Sequence, residues 1–249
     1  MSLGRMMNAS ESSRLIGCAP GIRQEISGDN LGYGNLYYAV ARWLRPQRVL
    51  VVGSGQGFAP FVIAKALEHN GFGELIFVDP SMSTLRDGPN ASHGGSGSWD
   101  TPEQVAARIE CAGVQRIKHY RLTNREFFAR PDTGAFDLVL VDGAHDYQNA
   151  LFDLNHAVAH LRLPGFIFLH DSTHFLNRTG HMGVAEVVRQ ARPVSAETMT
   201  FPGAAGLTLL RVTEPFELLP VHALPPTPVW AWGGLAVGLG FLLGRWVRP

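Results

Sequence analysis

Apolar residues in this chain follow two rhythms. Residues 49–52 (Val-Leu-Val-Val) are four apolar positions in a row with no polar alternation, which fits a strand buried on both faces, as in a parallel sheet. Similar short runs recur at 74–79, 116–122, 136–142 and 166–171. Between them the apolar positions return at helical spacing, over 58–67, 101–112, 125–129, 148–161 and 183–191. Residues 35–44 precede the first run and read as a helix with Leu36, Ala39, Val40 and Trp43 on its apolar face. The start at Thr101-Pro-Glu-Gln104 has the form of a capping box with proline at the first helical position. Two further strands, 197–201 and 206–212, are separated by Pro-Gly-Ala-Ala and read as a hairpin. Strand–helix alternation closed by a hairpin predicts an α/β fold: a doubly wound, mostly parallel seven-stranded sheet with an antiparallel C-terminal edge. Residues 1–30 carry little pattern.

Strand ends are where such sheets bind ligands. The first is followed by Gly53-Ser54-Gly55-Gln56-Gly57 and then a helix, an arrangement that brings backbone N–H groups close to a nucleotide-like ligand. The second ends in Asp79, which is placed to accept hydrogen bonds from a ribose diol. Thr123 and Asn124 end the third, beside the expected position of an adenine. Asp142 with His145 ends the fourth, and His170-Asp171-Ser172 the fifth. Asp142 and Asp171 on neighbouring strands suit one divalent cation such as Mg²⁺, and His145 suits a general base. Residues 81–99 form a Gly- and Ser-rich insertion that leaves the ligand-binding edge, so His93 and Trp99 either face the site or belong to a surface loop.

Composition narrows the field. With 21 basic and 21 acidic residues the formal net charge is zero, and no global field favours nucleic acid. The two cysteines, Cys18 and Cys111, form no CxxC and no evident framework, which suggests free thiols in a reduced, cytoplasmic setting. The first 24 residues show no apolar signal-peptide core.

Val51-Val-Gly-Ser-Gly-Gln-Gly57, Phe77-Val-Asp79, Leu140-Val-Asp-Gly-Ala-His-Asp-Tyr147 and Leu169-His-Asp-Ser172 together resemble the class I S-adenosylmethionine-dependent methyltransferases. The nearest subgroup has a D-G-x-H-x-Y segment after strand four and an H-D-S-type segment after strand five, and includes small-molecule and sugar O-methyltransferases related to the macrocin O-methyltransferases and the cephalosporin-hydroxylase-like proteins. That resemblance implies that Gly53, Ser54, Gly55 and Gly57 line the methionine end of S-adenosylmethionine. It implies that Asp79 holds the ribose, and that Thr123, Asn124 and Asp142 complete the cofactor site. Asp142 and Asp171 correspond to metal positions, and His145, with Asp142, to the catalytic group. Some members carry two adjacent acidic residues after strand five, where this chain has His170 before Asp171. Competing readings are a nicotinamide-dependent oxidoreductase, which uses related glycine–acid chemistry, and a membrane-tethered, non-catalytic cofactor-binding module.

The organisation read from the chain is an N-terminal extension (1–31), a methyltransferase domain (32–214) with its insertion, a Pro-rich linker (215–228) and an apolar segment (229–247). That last segment holds Trp230, Trp232 and Trp246 and two GxxxG spacings. It reads either as a membrane anchor or as a helix packed on the domain or on a second subunit in a homo-oligomer. The acceptor expected from the resemblance is a small molecule or sugar.

Overall fold

A computed structural model describes residues 6–21, 24–81, 97–195, 197–203 and 205–220. Met1–Leu218 form one compact unit and Leu219–Pro249 a second. The expected apolar segment at 229–247, most of the insertion and His93 lie outside the described residues. Among the described residues no helix is long and apolar enough to cross a membrane.

The first unit is a seven-stranded sheet in the order β3-β2-β1-β4-β5-β7-β6. Its strands are β1 (Arg48–Val52), β2 (Glu74–Val78), β3 (Ile117–Tyr120), β4 (Phe136–Val141), β5 (Leu161–His170), β6 (Glu197–Phe201) and β7 (Leu207–Val212). β1 to β5 run parallel, and β7 enters antiparallel between β5 and β6. The sheet therefore matches the expected architecture. The order reverses at β1 and β4, and the crevice outside that reversal is where ligands bind such sheets.

Unbroken apolar runs are needed because each strand feeds two cores. Val49, Val51, Leu75, Phe77, Leu138, Leu140 and Phe168 face one; Leu50, Val52, Ile76, Val78, Val139, Val141 and Ile167 face the other. On the first side lie α1 (Ala9–Cys18), α2 (Tyr33–Leu44), α3 (Phe58–Asn70) and α4 (Pro102–Ala112). On the second lie α5 (Asn124–Phe128), α6 (Tyr147–Ala159) and α7 (Val184–Ala191). The capping box at Thr101 forms as expected, with Gln104 N–H donating to the Thr101 hydroxyl and the Gln104 side chain accepting from the Thr101 N–H.

Three local expectations are corrected. The weakly patterned N-terminus contains α1, started by an Asn8–Glu11 capping box, and buries Leu15. α2 begins at Tyr33 and turns a different face inward: Tyr33, Tyr37, Tyr38 and Ala41 are buried, whereas Trp43 is 71% exposed. Tyrosine is tolerated there because its hydroxyls find partners, Tyr37 at Gln24 Oε1 (3.1 Å) and Tyr38 at His69 Nδ1 (2.6 Å). The cysteines are not separate thiols: Cys18 at the end of α1 and Cys111 in the last turn of α4 form a disulfide across a Cα–Cα distance of 5.8 Å. Arg14 prepares that meeting by donating from Nε to the Cys111 carbonyl (2.5 Å) and from Nη2 to the Glu110 carbonyl (2.8 Å), which fastens α1 to the end of α4. Spacing alone could not show this, because the two residues are 93 positions apart.

Cys18→Ser should lower unfolding stability by about 2–4 kcal/mol, since a cross-link over so long a loop restricts the unfolded chain. Urea denaturation with and without a thiol reductant checks this. The variant should match the reduced wild type, and equal stability of oxidised wild type and variant would exclude the cross-link.

Candidate active site

The carboxyl edge of β1, β2, β4 and β5 gathers most of the residues singled out by the sequence. Immediately after β1, Gly53, Gly55 and Gly57 all have positive φ (71°, 50° and 90°), and Gly57 caps the start of α3. The turn closes through Gly57 N–H to the Ser54 carbonyl at 2.9 Å. Glycine is required at two of these positions for space as well as for φ. A Cβ on Gly53 would run into the backbone of Asp142 and Gly143, and one on Gly57 would stand 2.5 Å from the Trp99 ring.

Asp79 follows β2 beside this turn. It is buried and accepts the N–H groups of Ser81 (2.9 Å) and Ser54. Burial nevertheless dominates and pushes its carboxyl up to about 7. Thr123 and Asn124 stand after β3, but their side chains have local tasks. Thr123 caps α5 in a reciprocal box with Glu126. Asn124 Nδ2 donates to Asp153 Oδ1 at 2.5 Å.

Asp142 and Asp171 come together because β4 and β5 are hydrogen-bonded neighbours in parallel register, Val141 opposite Leu169. The helix after β4 is capped by Asp146, whose Oδ1 accepts from the Asn149 N–H (3.1 Å), so Asp142 is not spent as a cap. Instead His170 Nδ1 lies 3.0 Å from Asp142 Oδ1 and 3.5 Å from Asp171 Oδ2. His145 Nε2 lies 3.0 Å from the same Asp171 oxygen. Asp171 has φ of 60°, in the left-handed region, which aspartate enters more readily than most non-glycine residues. Burial opposes a charge on His170, but Asp142 and Asp171 outweigh it and push the imidazole up to about 10. Burial likewise opposes a charge on Asp171 by raising its pKa, yet His145 and His170 hold its carboxyl well below the usual carboxylate range. The result is a buried relay, His145–Asp171–His170–Asp142. The carboxylates of Asp142 and Asp171 and the imidazole of His170 each offer one ligand atom, and these atoms lie within 4.8 Å of one another, close enough to share a metal ion.

Residues not singled out from sequence complete the edge. Tyr33 of α2 meets the His170 ring edge to face at a centroid distance of 5.9 Å. Burial, Glu25 and Asp171 push its hydroxyl up. Asp153 of α6 is fully buried beneath the β4 end, with Oδ2 3.3 Å from where a Gly143 Cβ would stand. Tyr33 lies two positions before the expected helix start. Asp153 sits on an otherwise apolar helix face, a polar residue at a core position that could have been noticed.

Residues 50–172 match the sequence model of a methyltransferase-domain family, which bears out the resemblance to the class I methyltransferases. No curated protein matches the chain by sequence. Among solved structures the fold is similar to the O-methyltransferase TomG of Streptomyces achromogenes, involved in tomaymycin synthesis and determined with S-adenosylmethionine. The two are 19% identical over 86% of this chain and 93% of that one, with a TM-score of 0.54. It is also similar to a Bacillus cereus O-methyltransferase in complex with S-adenosylhomocysteine, at 14% identity over 86% and 94% of the chains and a TM-score of 0.56. A Podospora anserina methyltransferase bound to S-adenosylhomocysteine aligns at 15% identity over 84% and 89%, with a TM-score of 0.53. At these identities the likeness is one of fold.

Burial pushes the Asp153 carboxyl up to about 7, against the hydrogen bond from Asn124. The folded state therefore holds this proton more tightly than the unfolded chain, whose aspartates titrate near ~4. Its contribution to stability is lost as pH rises from there toward about 7. Asp153→Asn should gain about 2 kcal/mol on the wild type between pH 5 and pH 7. Urea midpoints at the two pH values read this; parallel changes in both proteins would contradict it.

Proposed function

We propose that this protein, whose residues 50–172 match a methyltransferase-domain family, is an S-adenosylmethionine-dependent O-methyltransferase acting on a hydroxyl of a small molecule or sugar. The observation that carries the reading is the pairing of His145 with a buried, ionised Asp171 at the reversal point of the sheet, next to the glycine turn. A carboxylate on Nε2 fixes the tautomer of His145 and leaves Nδ1 as the ring nitrogen able to accept a proton. The carboxylate also stabilises the imidazolium that forms when His145 takes the acceptor's proton.

The glycine turn and Asp79 would receive the two ends of the cofactor, methionine on the turn and ribose on the carboxylate. Thr123 and Asn124 would flank the adenine, through backbone groups or after release of their local bonds. Transfer itself is an in-line displacement at the sulfonium methyl. The protein's main contribution is to hold oxygen, carbon and sulfur collinear while His145 removes the proton.

The carboxylates of Asp142 and Asp171 would suit a divalent cation such as Mg²⁺, whereas the His170 nitrogen beside them suits a transition metal better. Bound there, such an ion would lower the pKa of the acceptor hydroxyl. His170 would then have to give up its proton, and Asp171 would remain shared with His145. The His-before-Asp sequence after β5 thus makes a proton relay and a metal centre alternative uses of the same atoms.

His145→Ala should reduce turnover by about 10²–10⁴-fold while leaving S-adenosylmethionine affinity unchanged. Single-turnover rates against a panel of hydroxylated acceptors, with calorimetry for the cofactor, measure both. Turnover at the wild-type rate would remove His145 as the base. Thermal stabilisation by NAD, with none by S-adenosylmethionine or S-adenosylhomocysteine, would overturn the methyltransferase reading.

A further inference from the structure

The turn at Gly53–Gly57 contains three glycines at positive φ, and such a segment has many backbone states open to it. Its working conformation must be imposed from outside, and two side chains do this. Trp99 Nε1–H donates to the Gly55 carbonyl at 2.7 Å. Arg108 of α4 donates from Nη2 to the next carbonyl, that of Gln56. The two side chains are themselves locked together. The Arg108 guanidinium lies over the Trp99 ring, 4.9 Å from its centroid. The ring is 1% exposed and packs edge-on against Phe77 (4.9 Å) and Phe61 (5.9 Å), with His119 at 5.3 Å. Gly57 has no room for a Cβ because this same ring occupies the space.

The consequence follows from peptide planarity. In a trans peptide the C=O and N–H point in opposite directions. With the Gly55 carbonyl drawn toward Trp99, the Gln56 N–H on the same plane points away from it. The Gly57 N–H is already used within the turn, on the Ser54 carbonyl. Gln56 thus offers the aimed donor of the loop, backed by the N-terminus of the 13-residue α3.

We propose that Trp99 and Arg108 are positioning residues, a clamp that holds two consecutive carbonyls of the glycine turn so that the Gln56 N–H meets the carboxylate of the cofactor's methionine moiety. This rests on the methyltransferase reading. It gives Trp99, the last residue of the sequence insertion, a task behind the backbone of the proposed cofactor site, and its 1% exposure rules out a surface-loop position.

The test uses the full chain and two ligands that differ in the group at issue. S-adenosylhomocysteine carries the amino-acid carboxylate; 5′-methylthioadenosine keeps the adenosine and lacks it. Trp99→Phe retains the ring packing and removes the N–H. Arg108→Met retains an apolar stem over the ring and removes the donor, and serves if Trp99→Phe proves poorly folded. Each variant should bind S-adenosylhomocysteine about tenfold more weakly by calorimetry, the loss expected for one charge-assisted hydrogen bond. Each should bind 5′-methylthioadenosine with wild-type affinity. An equal loss for both ligands would reduce Trp99 and Arg108 to general packing and overturn the proposal, as would unchanged affinity for both. Failure of the wild type to bind either adenosine ligand would overturn the methyltransferase reading itself, and the clamp with it.

Discussion

A single buried imidazole between two carboxylates holds the candidate site together. His170 is 2% exposed and lies between Asp142 and Asp171. Two carboxylates that close to each other would repel strongly in a poorly solvated site, and a cation between them makes the arrangement stable. The parallel pairing of β4 and β5 sets the carboxylates side by side. The left-handed backbone at Asp171 turns its carboxylate back toward both histidines. Tyr33 of α2 meets the His170 ring edge to face, so a helix N-terminal to the sheet also packs on this site. An Asp142→Asn or Asp171→Asn change would therefore disturb a charge balance.

Much of this was legible in the chain because it obeys local rules. Unbroken apolar runs marked the parallel strands, and polar residues directly after those runs marked the ligand edge: Gly53, Asp79, Asp142 and Asp171 all fall there. What escaped depends on contacts between distant segments. Which face of α2 turns inward was decided by partners for tyrosine hydroxyls at Gln24 and His69, which no periodicity reveals. The pairing of His145 with Asp171 joins the ends of two different strands and needed their geometry. Trp99 was ambiguous in sequence because Gly- and Ser-rich surroundings imply a surface loop, whereas its ring is among the most buried in the protein.

The two halves of the site differ in how they are made rigid. On the β4–β5 side, charge pairs fix the side chains. On the β1–β2 side, the backbone is the binding element of the proposed cofactor site, and Trp99 and Arg108 hold its carbonyls. Aromatic packing suits that second task, since it fills volume and supplies one directed N–H without placing a charge near the ligand. Arg108 adds a second directed donor while its own charge is spread over the indole face.

The Cys18–Cys111 link also changes the chain's topology. It closes residues 18–111 into a covalent ring that contains β1, the glycine turn, α3, β2 and the insertion. A peptide bond cut within the Gly- and Ser-rich insertion would leave the protein a single covalent molecule under oxidising conditions. Only a cut followed by reduction would separate the pieces. Because of that ring, the oxidation state of Cys18 and Cys111 determines whether a cut in the insertion leaves the two parts of the sheet covalently joined.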